Sequence, residues 1–428
     1  MRLKSTGLAV LATALATGVT VTPAIAPAEG ADSSQTVVRP AKDPFYDYTG
    51  NKPLRKIAPG TPLKTREVTL AAQTNETPLP ATQILYRTTD TTGHAVATVT
   101  TVIEPATGTA QPRVAAYLSF YDALSSKCNP SYTLRGGNPG AENQELTQIE
   151  QGTVNTLNQQ GYIVTVPDFE NQRLHWVAGR ESGRSALDGI TATLKALQLD
   201  KATPVGMMGY SGGSIAADWA SELQPHRAPG MNLVGTAMGG VPVNLRHNLP
   251  YVDGTPEWSD VIPGAMIGLS RAHHLDLMPY LSRWGRKVVR TESHQCIGEM
   301  SGEFPNLTIE HLMRKPYEDL LHVPVFRRII KGLRMGSVAG HPTAPMLMVA
   351  GNSDGKGDGV MIAADQAKLA AQYCAQGVPV QYVELGGADH SSAGLAFIDQ
   401  AMQWLAPRFA GVPAPSTCEP TRTGRSYP

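Results

Sequence analysis

The stretch "VGMMGYSGGS", residues 205–214, decides the fold. A run of Val, Gly and Met leads into Tyr210, Ser211 follows, and two glycines come next. Pro204 to Met208 reads as a buried strand and "GSIAADWASEL" (213–223) as a helix, so Ser211 falls on the turn between them. In such a strand–turn–helix elbow the serine sits at a strained backbone angle on the tightest part of the turn. Strand and helix approach so closely that a side chain at Gly209 or Gly213 would clash, and glycine is the residue without a Cβ. Ala216, Ala217 and Ala220 then let the helix lie close on the sheet. The helix N-terminus and the Gly212 amide come to lie beneath a reacting carbonyl, where both stabilise a developing oxyanion.

Working outward, short continuous apolar runs alternate with helix-length segments. "RVAAYLSF", "GYIVTVPD", "LVGTAMGG", "APMLMVAG" and "VPVQYVEL" fit strands buried on both faces, as in a parallel sheet covered by helices. "NQELTQIEQGTVNTLNQQG" and "MIAADQAKLAAQYCAQG" fit the helices between them. Before this pattern, "TREVTL", "ATQILYRTTD" and "HAVATVTTVIEP" alternate as strands do. One segment breaks the alternation. Between Gly240 and the strand near 345 lie about 100 residues, too many for an ordinary connection, which predicts an inserted helical cap. The fold class predicted is α/β, a mostly parallel central sheet flanked by helices. Its expected parts are a core with an extended arm (29–240), the cap (241–337), and the rest of the core with the tail (338–428).

Composition agrees with a folded globular chain. The 428 residues are 41% hydrophobic and 17% charged, with 36 basic and 36 acidic residues, a balance that points away from nucleic acid and anionic membranes. The first 28 residues read as a secretory signal peptide: Arg2 and Lys4, an apolar stretch from Gly7 to Val21, and small residues at Ala26-Pro27-Ala28. The apolar stretch is shorter than the ~20 residues of a membrane span. Removing the 28-residue signal takes Arg2 and Lys4 with it and leaves 34 of the 36 basic residues against 36 acidic ones, a net charge of −2. Export places Cys128, Cys296, Cys374 and Cys418 in an oxidising compartment, so two disulfides are expected, with three pairings open. No CxxC spacing or flanking histidine pair points to a metal site.

A serine hydroxyl needs a base, and the base an orienting acid. In the α/β-hydrolase arrangement these follow in the order Ser, Asp or Glu, His, each after a sheet strand. His390 in "GGADHSSAG" follows a late strand and precedes a closing helix, whereas His273 and His274 fall in the cap as surface or packing residues. For the acid, "VAGNSDGKGDGVM" offers both Asp354 and Asp358. The same loop partly imitates a calcium site through Asp354, Asp358, Gly359 and Asp365, but Lys356 stands where a third ligand belongs.

At this point the chain resembles a known family, the secretory lipases of yeasts and actinobacteria (the lipase A type). The likeness runs through "DPFYDYTG", "PGTPLKTREV", "YRTTDTTG", "SFYDALSSKCNPSY", "GYSGGSIAADWASEL", "GTAMGGVPVNL" and "DGVM" followed by "YCAQGVPVQYVE". The resemblance implies an α/β-hydrolase core with a helical cap over an acyl-binding site, hydrolysis of fatty-acyl esters, and no metal or organic cofactor. It implies Asp358, sixteen residues before Cys374, as the acid, His390 as the base, and the amides of Gly212 and Asp122 as the oxyanion hole. It also implies the pairings Cys128–Cys296 and Cys374–Cys418. Around the acid the chain departs from the family pattern, with an enlarged "GNSDGKG" and Met361-Ile362 in place of Val-Pro.

The expected protein is a secreted, monomeric serine ester hydrolase (a lipase or carboxylesterase) that acts on acyl-ester lipids, in reach of a lipid–water interface and without nucleic-acid partners. The same triad would equally serve acyl transfer to an alcohol or sugar of the cell envelope. A catalytically silent interaction protein on this scaffold is the reading from a different class, although such proteins normally lose a triad member.

Overall fold

The computed structural model describes residues 37–71, 79–106, 111–338 and 340–418. The expected signal peptide, 1–28, lies outside the described residues. The arm contributes three single 3₁₀ turns between Pro40 and Lys56, and it ends at Pro62, earlier than the sequence implied, where the first strand begins.

Nine strands form one sheet: β1 (Pro62–Leu70), β2 (Leu79–Thr89), β3 (Ala95–Ile103), β4 (Val114–Leu118), β5 (Ile163–Pro167), β6 (Val205–Tyr210), β7 (Leu233–Gly239), β8 (Met346–Asn352) and β9 (Val380–Gly386). Their spatial order is β1-β2-β3-β5-β4-β6-β7-β8-β9. β1, β2, β3 and β5 pair antiparallel, and from β5 to β9 all neighbours are parallel. The apolar runs that lacked alternation are the ones buried on both faces: every residue of β4, β5 and β6 is buried. β1, at the sheet edge, alternates between exposed and half-buried positions.

Twelve helices complete the described chain. Before β7 lie α1 (Pro130–Thr133), α2 (Gln144–Gln159), α3 (Gly179–Ala196) and α4 (Gly212–Arg227). Between β7 and β8 lie α5 (Leu245–Val252), α6 (Val261–His273), α7 (Arg283–Glu292), α8 (Ile297–Met300), α9 (Ile309–Leu312) and α10 (Pro324–Gly332). After β8 come α11 (Ala363–Ala375) and α12 (His390–Phe409). Period-two side-chain direction splits the core along β6. Val205 and Met207 join Ile190 of α3, Ala216 and Ala220 of α4 and Tyr373 of α11. Met208 and Tyr210 join Leu157 of α2 and Phe397 and Trp404 of α12 on the other face.

The long β7–β8 connection is helical, and most of its apolar residues pack inward. Ile262, Met266, Ile267 and Leu269 of α6 are all buried in the main cluster. Disulfides join Cys128 to Cys296 and Cys374 to Cys418, the pairing the family resemblance implies. The first ties the loop after β4 to this connection, where Ala123 also bridges Cys296. The second holds the tail, and the Thr417 amide donates to Val380 O beside it (2.8 Å). Among the described residues, no helix is long and apolar enough to cross a membrane.

Candidate active site

Ser211 occupies the turn between β6 and α4 with φ 51° and ψ −118°, outside the regions an L-residue prefers. Neighbouring backbone explains why the turn keeps its glycines. A Cβ on Gly209 would overlap the Gly213 backbone, and one on Gly213 would overlap the Leu118 carbonyl at the end of β4. Neither neighbour is a flexible side-chain tip. Gly213→Ala is therefore expected to destabilise the fold by roughly 1–3 kcal/mol or more, the range for overpacking, read as a lowered Tm.

Loops at the carboxyl ends of the parallel strands deliver the other groups, the usual location of sites in open α/β sheets. His390 is the first residue of α12, which follows β9, and Asp358 lies in the loop after β8. The Ser211 hydroxyl lies 2.9 Å from His390 Nε2, and His390 Nδ1 lies 2.8 Å from Asp358 Oδ2. Asp358 Oδ1 accepts the amides of Val360 (2.9 Å) and Met361 (2.6 Å). Its own carbonyl accepts the His390 amide at 2.9 Å, so main chain and side chain both lock acid to base. Burial alone disfavours an imidazolium at His390. The facing Asp358 carboxylate outweighs it and holds the imidazole pKa above its ordinary value.

The rival acid is elsewhere. Asp354 is exposed, and its carboxylate closes its own turn by accepting the amides of Lys356 (2.7 Å) and Gly357 (2.8 Å), with the Tyr251 hydroxyl at 2.9 Å. The Gly357 amide is the main reason its carboxyl stays below the usual range. Asp365, the last member of the calcium-like pattern, pairs with His247 at 2.8 Å. Among the described residues, no group of three or more His, Cys, Asp or Glu side chains is placed to hold a metal ion. His273 and His274 are exposed at the end of α6.

Asp122, in the loop after β4, has φ 26°, and its carboxyl group lies against Gly212. The Trp176 indole donates to Asp122 Oδ1 at 2.6 Å. Several residues around the site escaped the sequence reading. Trp176 follows β5, Tyr210 donates to His390 O (2.6 Å), and Trp258 stands edge-on to the His390 ring with centroids 5.2 Å apart. Trp176 lies in a loop at the carboxyl end of a parallel strand, but nothing in the residues around it marks its indole as the partner of Asp122. These groups open onto a cavity of about 350 Å³ walled mainly by apolar side chains, among them Ile215, Leu249, Val252, Val261, Ala265 and Ile398.

The family model described as secretory lipase matches residues 140–417. A protein of Mycobacterium tuberculosis named probable inactive lipase MT1628 is 33% identical, over 87% of this chain and 83% of its own. The secreted triacylglycerol lipase LIP4 of Malassezia globosa is 31% identical, over 89% and 83%. The X-ray structure of Candida antarctica lipase A superposes with a TM-score of 0.81 at 26% identity, covering 90% of this chain and 89% of that one.

Proposed function

The chain belongs to the secretory lipase family and is an α/β-hydrolase of the lipase and carboxylic ester hydrolase class; from that premise we propose that Ser211, His390 and Asp358 hydrolyse acyl-ester lipids through an acyl-enzyme. The observation that carries this reading is the continuous hydrogen-bond chain from Ser211 through His390 to Asp358, standing at an apolar cavity.

His390 Nε2 takes the Ser211 proton as Oγ attacks the ester carbonyl. Asp358 holds Nδ1–H, which keeps Nε2 free as acceptor and stabilises the imidazolium that forms. The amides of Gly212 and Asp122 receive the oxyanion. The imidazolium passes its proton to the leaving alcohol, and water, deprotonated by His390, then releases the fatty acid. The acyl chain lies along the apolar wall, to which the segment 245–265 contributes as a cap. We place the mature protein outside the cell, where its two disulfides are stable and an acyl-ester interface is the surface it meets.

A serine-directed fluorophosphonate tests the reading directly. Stoichiometric labelling of the native chain and none of Ser211→Ala is the expected result; an unlabelled native chain overturns it. The silent-scaffold reading gains weight from the Mycobacterium tuberculosis relative named inactive, and it predicts that unlabelled outcome. A chain-length series of acyl esters, run with and without an emulsion, separates lipase from soluble esterase. Including a sugar acceptor separates hydrolysis from acyl transfer, because transfer yields a new ester in place of free acid.

A further inference from the structure

Three buried carboxyl groups hold the loop from Ser119 to Ala123. Glu150 of α2 accepts the Ser119 hydroxyl and the Phe120 amide, and Glu170, after β5, accepts the Ala123 amide. Asp122 accepts the Trp176 indole N–H. Asp122, Glu150 and Glu170 are 6%, 6% and 1% exposed, and among the described residues none of them makes a salt bridge to a lysine or arginine. Arg271 faces Glu170, but its guanidinium donates to the carbonyls of Leu124 and Ser293.

Asp122 is the member of this set that reaches the reacting centre. Its carboxyl lies so close over Gly212 that any Cβ there would overlap it, and the Gly212 amide points toward it. It also lines the cavity. Trp176 occupies Oδ1, which leaves Oδ2 as the oxygen a bound ester can meet. Trp176 itself is wedged against α6, where a Cβ on Gly264 would overlap its ring and one on Gly268 its backbone. The carboxyl is thereby held in one orientation.

We propose that Asp122 serves the reaction through its side chain as well as its amide: as the neutral acid, its Oδ2–H donates a third hydrogen bond to the oxyanion formed when Ser211 attacks. This rests on Ser211 being the nucleophile. An ionised carboxylate at the same place would set a negative charge where negative charge develops, and would compete for the Gly212 amide. The surroundings favour the neutral form. Burial pushes the Asp122 carboxyl up to about 7, against the opposing pull of the Trp176 indole, His390 and the Gly212 amide. The groups facing it are Glu150 on α2, Glu170 after β5 and His390 on α12, with Asp358 and Asp389 beside that imidazole. The working state carries the proton on the carboxyl with the imidazole neutral, so that one group donates to the oxyanion while the other accepts from Ser211.

The test is the pH profile of kcat/KM on a soluble short-chain ester, followed by chromatography of the released acid, for native chain, Asp122→Asn and Asp122→Ala. The native profile is expected to be bell-shaped, losing activity at acid pH as His390 gains a proton and at alkaline pH as Asp122 loses one. Asparagine keeps an acceptor for Trp176 and supplies an N–H donor at every pH. Asp122→Asn is therefore expected to hold kcat within about tenfold, whereas Asp122→Ala lowers it by roughly 10²–10³, the worth of one oxyanion donor. In Asp122→Asn the alkaline limb disappears. Its acid limb stays in place, because a neutral Asp122 carboxyl and a neutral amide exert the same charge on His390, and Asp358 still raises the imidazole.

Two results overturn the proposal: Asp122→Asn as impaired as Asp122→Ala with the alkaline limb in place, or Asp122→Ala as fast as the native chain. If Asp122→Ala fails to fold, the Asp122→Asn profile decides alone. Fluorophosphonate labelling keeps the two readings apart. A native chain that labels and turns over while these variants behave otherwise removes only the side-chain role, and one that neither labels nor turns over removes the nucleophile.

Discussion

Ser211→Ala is expected to lower kcat on acyl esters by roughly 10⁴–10⁶-fold, the range for removing a triad nucleophile, with Tm nearly unchanged. The size follows from the chemistry: without Oγ no acyl-enzyme forms, and what remains is water attack assisted by the oxyanion donors. The small structural cost follows from the packing. Ser211 Oγ makes one hydrogen bond, to His390, and the residue's position at φ 51° is held by its backbone, whose amide donates to Gly239 O at 3.0 Å. Alanine has the same Cβ as serine, so the turn carries no new strain. The measurement is kcat on purified protein beside a melting curve. Activity within tenfold of native would move the nucleophile elsewhere.

Asp358→Asn carries the second largest expected effect, a loss of about 10⁴ in kcat, because an amide in that place favours the wrong imidazole tautomer. Asp358 Oδ1 accepts two backbone amides, which fixes an asparagine's oxygen there and turns its NH₂ toward His390 Nδ1. Two donors then face each other, and the ring must place its proton on Nε2, where Ser211 needs an acceptor. Removing the carboxylate also removes what raises His390, so the acid limb of kcat/KM shifts to lower pH in whatever activity is left. Asp354→Asn is the matched control. Its carboxyl is exposed and turned to its own loop, and a surface change of that kind is expected to leave kcat within about twofold. The reverse ranking of the two variants would transfer the acid's role to Asp354.

Much of this site was legible because its signals are local. A strand's burial is written in its own residues, so the apolar runs at 114–118, 163–167 and 205–210 announced a sheet covered on both faces. The elbow is equally local, since glycines at 209 and 213 are required by atoms within the same turn and the adjacent strand end. His390 could be picked by its place between a last strand and a last helix. Trp176 could not, because nothing in the residues around it says that its indole meets a carboxyl 54 positions earlier. The disulfide pairing was open for the same reason. Its partners are 168 and 44 residues apart, and four cysteines carry no label of proximity.

The two aspartates of the β8 loop mark the boundary most sharply. Both follow a buried strand, both neighbour glycine, and by residue type either could serve. What separates them is a bridge between Gly357 and Ile362, with the Asp358 amide donating to Met361 O at 3.1 Å, which folds the loop back and turns Asp358 inward under His390. Asp354, left outside that bridge, faces solvent. Order along the chain and local periodicity determined the sheet, the turn that holds Ser211 and the place of His390. Only the folded chain decided which carboxylate meets the imidazole and which carboxyl lies over Gly212, because those choices depend on distances between segments that the chain brings together from far apart.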